Sequence, residues 1–204
     1  LSKNCCLKLF HVFAAIVSLG ASLASGAQIV FPTPQGYRGE GVFDNFWKLI
    51  ERHKATFVIT VPTAMSALMQ RKVDADISTL RLAFCGSAPL PLELYRRFEK
   101  AAGVTICEGY GLTEATCLVT CNPVDGEKKI GSVGVPFPYT DVKILLGGPK
   151  KAKECKTDEV GEICIVNPGV NQGQTYTEEA KNEGLYHEVG NSLYLRTGDL
   201  GRID

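Results

Sequence analysis

Apolar and polar positions along this chain follow two rhythms, with one change between them near residue 120. Before it, short apolar runs alternate with amphipathic stretches of helical period. Residues around 10–25 read as an apolar helix, and Gln28-Ile29-Val30-Phe31 reads as a short buried strand ending at Pro32. Val42, Phe43, Phe46, Leu49, Ile50 and His53 recur at helical spacing, which predicts an amphipathic helix over about 41–53. Thr56 to Val61 is β-branched and aromatic, as a strand requires. Pro62 suits the first turn of a helix running to about Arg71, because its missing N–H costs nothing there. Leu80 to Cys85 predicts a third strand. A helix opened by Pro91 follows, with Leu94, Phe98 and Ala101 on one face and Gly103 as its stop. Val104 to Cys107 predicts a fourth strand, ending in a loop from Glu108 to Glu114. Strands alternating with helices imply a parallel sheet with helical crossovers, hence an α/β fold.

Beyond residue 120 the helical period is lost. Ile130 to Val135, Asp141 to Leu146, Glu162 to Val166 and Ser192 to Arg196 read as strands, with a turn at Gly147-Gly148-Pro149 and one helical turn near Thr177 to Lys181. Lys150 to Glu159 is charged and reads as a solvated loop or edge. The expected organisation is an α/β portion over 1–125 and a smaller β-rich portion over 126–204.

Charge narrows the classes of partner. Lys plus Arg and Asp plus Glu both number 22, so the formal net charge is zero, without the basic excess that a nucleic-acid groove or anionic membrane selects. The eight cysteines include no C-x-x-C pair, so zinc-ribbon spacing is missing. Cys85, Cys107 and Cys164 lie in apolar runs where a thiol acts as a small core residue, which favours reduced thiols in a cytoplasmic protein over disulfides. The N-terminus reads in two ways. Lys3 and Lys8 before the run from Val12 to Ala27 look like a secretory signal. His11 and several Ser and Gly residues interrupt that run, it is polar for a spanning helix, and the chain opens on Leu1, which favours a buried helix of a piece of a longer protein.

Two segments carry candidate chemistry. Gly86-Ser87-Ala88-Pro89-Leu90-Pro91 follows a buried strand and precedes a helix, the place where open α/β sheets bind ligands. Glu108-Gly109-Tyr110-Gly111-Leu112-Thr113-Glu114 follows the next strand. Tyr110 offers a face on which a purine can stack, and Gly109 and Gly111 open space around it. Thr113 can donate to phosphate, and Glu114 is a hard oxygen ligand suited to Mg²⁺. Taken singly, each has a structural alternative: a tight turn, a core tyrosine, a helix cap, a surface glutamate. Together they favour nucleotide binding. In Thr197-Gly198-Asp199, an aspartate at a strand end can accept from both ribose hydroxyls, or simply make a turn. His11, between Phe10 and Phe13, reads on spacing alone as a packed core histidine. A nucleophile elbow, an H-E-x-x-H helix, a dinucleotide fingerprint and a P-loop are all missing from the sequence.

In this order, the motifs resemble the acyl-adenylate-forming family of acyl-CoA synthetases, luciferases and peptide-synthetase adenylation domains, and most of all fatty-acyl-CoA synthetases. Tyr110-Gly111-Leu112-Thr113-Glu114 matches the family's Tyr-Gly-x-Thr-Glu motif, Gly86 to Pro91 its adenine-wall loop, and Thr197-Gly198-Asp199 its ribose motif. Leu9-Phe10-His11 resembles the loop whose histidine borders the acyl pocket, and Gly131 to Pro136 and Gly161-Glu162-Ile163 fall where the family has similar runs. The resemblance implies activation of a carboxylic acid, of fatty type, by ATP to acyl-AMP, then transfer to coenzyme A. It implies nucleotide contacts from Gly86, Ser87, Ala88, Pro89, Glu108, Gly109, Tyr110, Gly111 and Asp199. It places Thr113 on phosphate, Glu114 on Mg²⁺, and His11 and Gly109 beside the acyl group. The family's Ser/Thr/Gly-rich phosphate loop and its lysine-bearing mobile domain have no match here. Lys8 stands where relatives carry proline, and the arginine expected after the ribose aspartate is missing. These departures imply a central fragment that is inactive alone, whose exposed core would favour self-association. Two other readings stand beside it: a secreted, disulfide-linked binding module, and a non-catalytic scaffold of the same fold.

Overall fold

The computed structural model describes residues 2–5, 9–148 and 151–204. Cys6 and Lys8, which entered the reading of the N-terminus, lie outside the described residues, as do Pro149 and Lys150. The chain forms two compact units, 1–111 with 120–135, and 112–119 with 136–204.

The first unit is built on a sheet whose first five strands run parallel. β1 (Ser2–Cys5) pairs with β2 (Gln28–Val30) and β3 (Phe57–Thr60), and β3, β4 (Leu82–Cys85) and β5 (Thr105–Leu112) continue in sequence order. β6 (Cys117–Cys121) and β7 (Val135–Pro136) extend the sheet. The crossovers are helical. The first is a π-type helix over Phe13–Gly20, continued by α1 (Ala21–Ser25), and the others are α2 (Val42–His53), α3 (Pro62–Leu68) and α4 (Leu92–Ala102).

The apolar stripe of α2 is what fixes it. Val42, Phe46, Trp47 and Ile50 are buried, and Trp47 packs edge-on to Phe46 at 5.1 Å and against Phe98 of α4 at 6.1 Å between ring centroids. Each such burial is worth about 1.5–3 kcal/mol. The polar tips of buried tyrosines are satisfied as well: Tyr37 donates to the Ile59 carbonyl and Tyr95 to the Ile106 carbonyl. Among the described residues no helix is long and apolar enough to cross a membrane.

Two expectations are corrected. β5 does not end at Cys107 but runs on through Leu112, so Glu108 to Gly111 are extended backbone rather than loop. The strand expected over Ile130 to Val135 is reduced to Val135–Pro136, preceded by a turn in which Ser132 N–H donates to the Lys129 carbonyl.

The second unit is antiparallel. β8 (Asp141–Leu146), β9 (Lys153–Glu154), β10 (Gly161–Val166), β11 (Tyr186–Val189) and β12 (Ser192–Gly201) assemble in the order β11-β12-β10-β8-β9. Leu145, Cys164 and Tyr194 form its core, and the Tyr194 hydroxyl donates to Asp141. β12 continues five residues past the expected end at Arg196, through Thr197-Gly198-Asp199.

Candidate functional site

Parallel pairing brings the first two candidate segments together. Cys85 stands opposite Glu108, so Gly86 leaves β4 beside Gly109 of β5. The approach is close: a Cβ on Gly86 would lie 3.2 Å from the Gly109 carbonyl oxygen and 3.5 Å from the Phe13 ring. A Cβ on Gly109 would lie 2.6 Å from the Phe84 ring and 3.1 Å from the Thr120 carbonyl oxygen. No side chain larger than hydrogen fits there without moving Phe84, whose ring is held against Phe13 at 5.5 Å.

The turn after Gly86 is strained. Ser87 has φ +70°, in the left-handed region that costs a residue other than glycine on the order of 1–3 kcal/mol. Ser87, Ala88 and Pro89 are exposed, whereas Gly86 and Leu90 on either side are buried, so an exposed tip stands on a fixed base. Glu108 fixes that base. It is 7% exposed, and its carboxylate accepts from the backbone N–H groups of Gly131 and Leu90. Burial raises its pKa above the ordinary carboxylate value, against the opposing effect of those two donors. Its neighbour across the sheet, Cys85, is a buried thiol pushed up to about 12 by desolvation and by Glu108, hence a protonated packing residue. Tyr110, two residues further along β5, is half-buried.

His11 lies on the wall of a cavity of about 520 Å³. Phe10, Tyr37, Phe43, Val61, Ala64 and Ala67 give it apolar walls, and Gln35, Arg38 and Thr63 add polar groups. Gly109, expected beside the same acyl group, is not among the residues lining this cavity. The His11 side chain is held by its own helix start, where Nδ1 accepts from the Phe13 N–H at 3.2 Å.

Thr113 and Glu114 belong to the second unit, in a 3-10 turn over Thr113–Ala115. Thr116 (φ +54°) anchors it, donating through its hydroxyl to the Gly169 carbonyl at 2.7 Å. The Thr113 side chain is exposed. Glu114 is half-buried and accepts a hydrogen bond from the Tyr176 hydroxyl, which raises the tyrosine's pKa. Tyr176 is clasped by Asn182: its N–H donates to Oδ1 at 2.8 Å, and its carbonyl accepts from Nδ2 at 2.7 Å. Sequence reasoning missed Tyr176, a lone aromatic in a polar stretch, 62 residues from its partner.

Asp199 lies on a bulge. Cys164 pairs with Arg196 and Glu162 with Leu200, so Thr197, Gly198 and Asp199 stand opposite Ile163 alone. Such insertions re-aim side chains, and Asp199 is exposed there. The Thr197 hydroxyl donates to the Ile163 carbonyl at 2.8 Å and accepts from the Asp199 N–H at 3.1 Å. The six described cysteines whose state the structure gives, Cys85, Cys107, Cys117, Cys121, Cys155 and Cys164, are free thiols.

Residues 4–174 match the AMP-binding enzyme family. The marinolic acid–CoA ligase of Pseudoalteromonas sp. (strain SANK 73390) is 38% identical over 203 residues, 98% of this chain and 30% of its own length. A long-chain-fatty-acid–CoA ligase of Bacillus subtilis (strain 168) is 31% identical over 199 residues, 96% of this chain and 33% of its own. Among solved structures, ATP-bound MatB from Rhodopseudomonas palustris superposes with a TM-score of 0.83 at 28% identity, over all of this chain and 38% of that one. The anthranilate CoA ligase AuaEII in complex with anthranoyl-AMP gives 0.83 at 25%, over all of this chain and 37% of that one. The chain thus spans about a third of the length of the curated relatives it matches.

Proposed function

Because this chain belongs to the AMP-binding enzyme family, we propose that it supplies nucleotide- and acid-binding parts of an ATP-dependent acid–CoA ligase. In this reaction a carboxylate oxygen attacks the α-phosphorus of ATP, the bond to pyrophosphate breaks, and acyl-AMP forms. The thiol of coenzyme A then attacks the acyl carbon and AMP leaves. Such chemistry needs positioning and neutralised phosphate charge more than a protein nucleophile.

The observation that carries this reading is the close fit of Gly86 against Gly109, with the strained Ser87 turn held on buried Glu108. The turn that carries Ser87–Pro89 leaves β4 where Cys85 pairs with Glu108, beside the strand that carries Tyr110 two residues further on. In our reading Tyr110 stacks on adenine and Ser87, Ala88 and Pro89 form the wall beside it, on a base made by Gly86, Glu108, Gly109 and Gly111. Asp199 accepts from the ribose hydroxyls and Thr113 donates to phosphate. The residues present fit a Mg²⁺ ion. Glu114 is partly solvated, and among the described residues its carboxylate accepts from the Tyr176 hydroxyl through Oε1, which suits Oε2 to a metal. When bound, that ion supplies charge neutralisation at the phosphates.

The acid is of fatty type. The cavity beside His11 is walled mainly by aromatic and aliphatic groups, which supports an alkyl tail, with Gln35, Arg38 and Thr63 as its polar groups. Calorimetry with AMP and with a chain-length series of non-hydrolysable acyl-sulfamoyl adenosines tests both halves. Tyr110→Ala should weaken AMP binding by about 5- to 150-fold, the value of one stacked base. Affinity in the acyl series should rise about fourfold for each added methylene until the cavity is full. An AMP affinity unchanged by Tyr110→Ala would remove the adenine assignment, and a flat chain-length series would remove the fatty one.

A further inference from the structure

Glu162 lies on β10 just below the bulge that carries Asp199. Its Oε2 accepts from Arg196 Nε and lies 2.9 Å from Arg196 Nη2, while its Oε1 accepts from the Gly198 N–H at 3.1 Å. Arg196 is itself held, donating through Nη1 to the Gly184 carbonyl at 3.0 Å. On the inner side His187 is fully buried, with Nε2 3.7 Å from Oε2 of Glu162 and neither ring nitrogen in a hydrogen bond among the described residues. Cys164 completes a group whose ligand-type atoms all lie within 4.8 Å of one another.

Glutamate, cysteine and histidine together invite comparison with a metal centre. Arg196 argues otherwise. Its guanidinium already neutralises the carboxylate, both oxygens are engaged, and a divalent ion would sit beside a fixed positive charge. The thiol is also held protonated, pushed up to about 12 by burial and by Glu162 itself. Beyond Arg196 and the nearby His187 ring, the group this carboxylate serves among the described residues is the Gly198 N–H. That N–H sits where the bulge interrupts the ladder, at a residue with φ +77°, and an ionised acceptor makes a stronger bond there than a carbonyl would.

The geometry points to Glu162 as a positioning residue: anchored by Arg196, its carboxylate clamps the Gly198 N–H and so fixes the bulge that presents Asp199 to ribose. This inference rests on the assignment of Asp199 to the ribose hydroxyls, and the test separates the two. AMP and 2′,3′-dideoxy-AMP are titrated into the intact protein, and the ratio of their affinities is read for wild type, Asp199→Ala, Glu162→Gln and Cys164→Ser, with a thermal melt of each.

Wild type should prefer AMP, and Asp199→Ala should lose that preference. Glu162→Gln keeps the volume but cannot serve Arg196 and Gly198 with two charged oxygens, and should lose about tenfold of it. Cys164→Ser changes the same cluster but leaves the clamp in place, and should keep it. Glu162→Ala serves as a second variant and should lose at least as much as Gln. A preference lost in Asp199→Ala but intact in the folded Glu162 variants would overturn the inference and leave the ribose assignment standing. So would equal weakening of both nucleotides, which marks a merely structural role. A wild type without preference would overturn both.

Discussion

Glu108 shows how a single carboxylate can both support a loop and weaken the fold. It leaves water to accept two backbone N–H groups, and the desolvation it suffers exceeds what those donors return, so its folded pKa lies above the unfolded one. The folded state then binds the proton more tightly than the unfolded chain. Stability from this group is therefore fully present below the unfolded carboxylate range, near 4.3, and is lost as pH rises through the folded value. Glu108→Gln cannot titrate. Its unfolding free energy relative to wild type should rise between about pH 4 and neutrality, measured by urea denaturation at a series of pH values. Parallel profiles for the two proteins would show that the buried carboxylate does not titrate differently in the folded state. The wild-type residue is kept, on this account, because a charged acceptor holds Leu90 and Gly131 in place better than a neutral amide.

At the scale of elements, β5 is the informative one. Glycines are poor strand formers, so Gly109 and Gly111 read as loop, yet the strand runs through both, and at Gly109 Phe84 and the Thr120 carbonyl fill the space where a side chain would stand. Gly109→Ala should therefore destabilise the protein by about 1–3 kcal/mol through overpacking against Phe84. Combining it with Phe84→Leu should recover part of that loss, as a double-mutant cycle in chemical denaturation would reveal. No loss in the single variant, or simple additivity in the double, would refute the contact as the cause.

The same element marks the limit of what the sequence could say. The helices over Val42–His53 and Leu92–Ala102 were legible from period and stop signals, and β8 from its apolar run, because each pattern is local. β1 was not: Ser-Lys-Asn-Cys has no strand pattern, and only its two parallel neighbours define it. β11 lay hidden in a polar stretch for the same reason. In the candidate site the motif residues were visible as letters, but the groups that hold them were not. Tyr176 on Glu114 and Glu162 under Gly198 are contacts across 62 and 36 residues, made by topology rather than by neighbouring sequence.

At the scale of the whole chain, the division of labour follows from which parts of the family pattern these 204 residues contain. They carry the Tyr-Gly-x-Thr-Glu run, the Gly86–Pro91 turn and the ribose motif, but no Ser/Thr/Gly-rich phosphate loop. Holding AMP needs stacking and ribose acceptors, and on our reading these are present. Exchanging pyrophosphate into ATP needs donors for the β- and γ-phosphates, because a leaving group of that charge must be neutralised as the bond breaks. The purified 204-residue chain should therefore bind AMP weakly in calorimetry yet give ATP–pyrophosphate exchange no higher than a protein-free blank. Robust exchange would mean that groups within this chain grip pyrophosphate after all. Absent exchange together with absent AMP binding, in the intact protein as well as the chain, would instead favour a scaffold that has kept the family's fold without its chemistry.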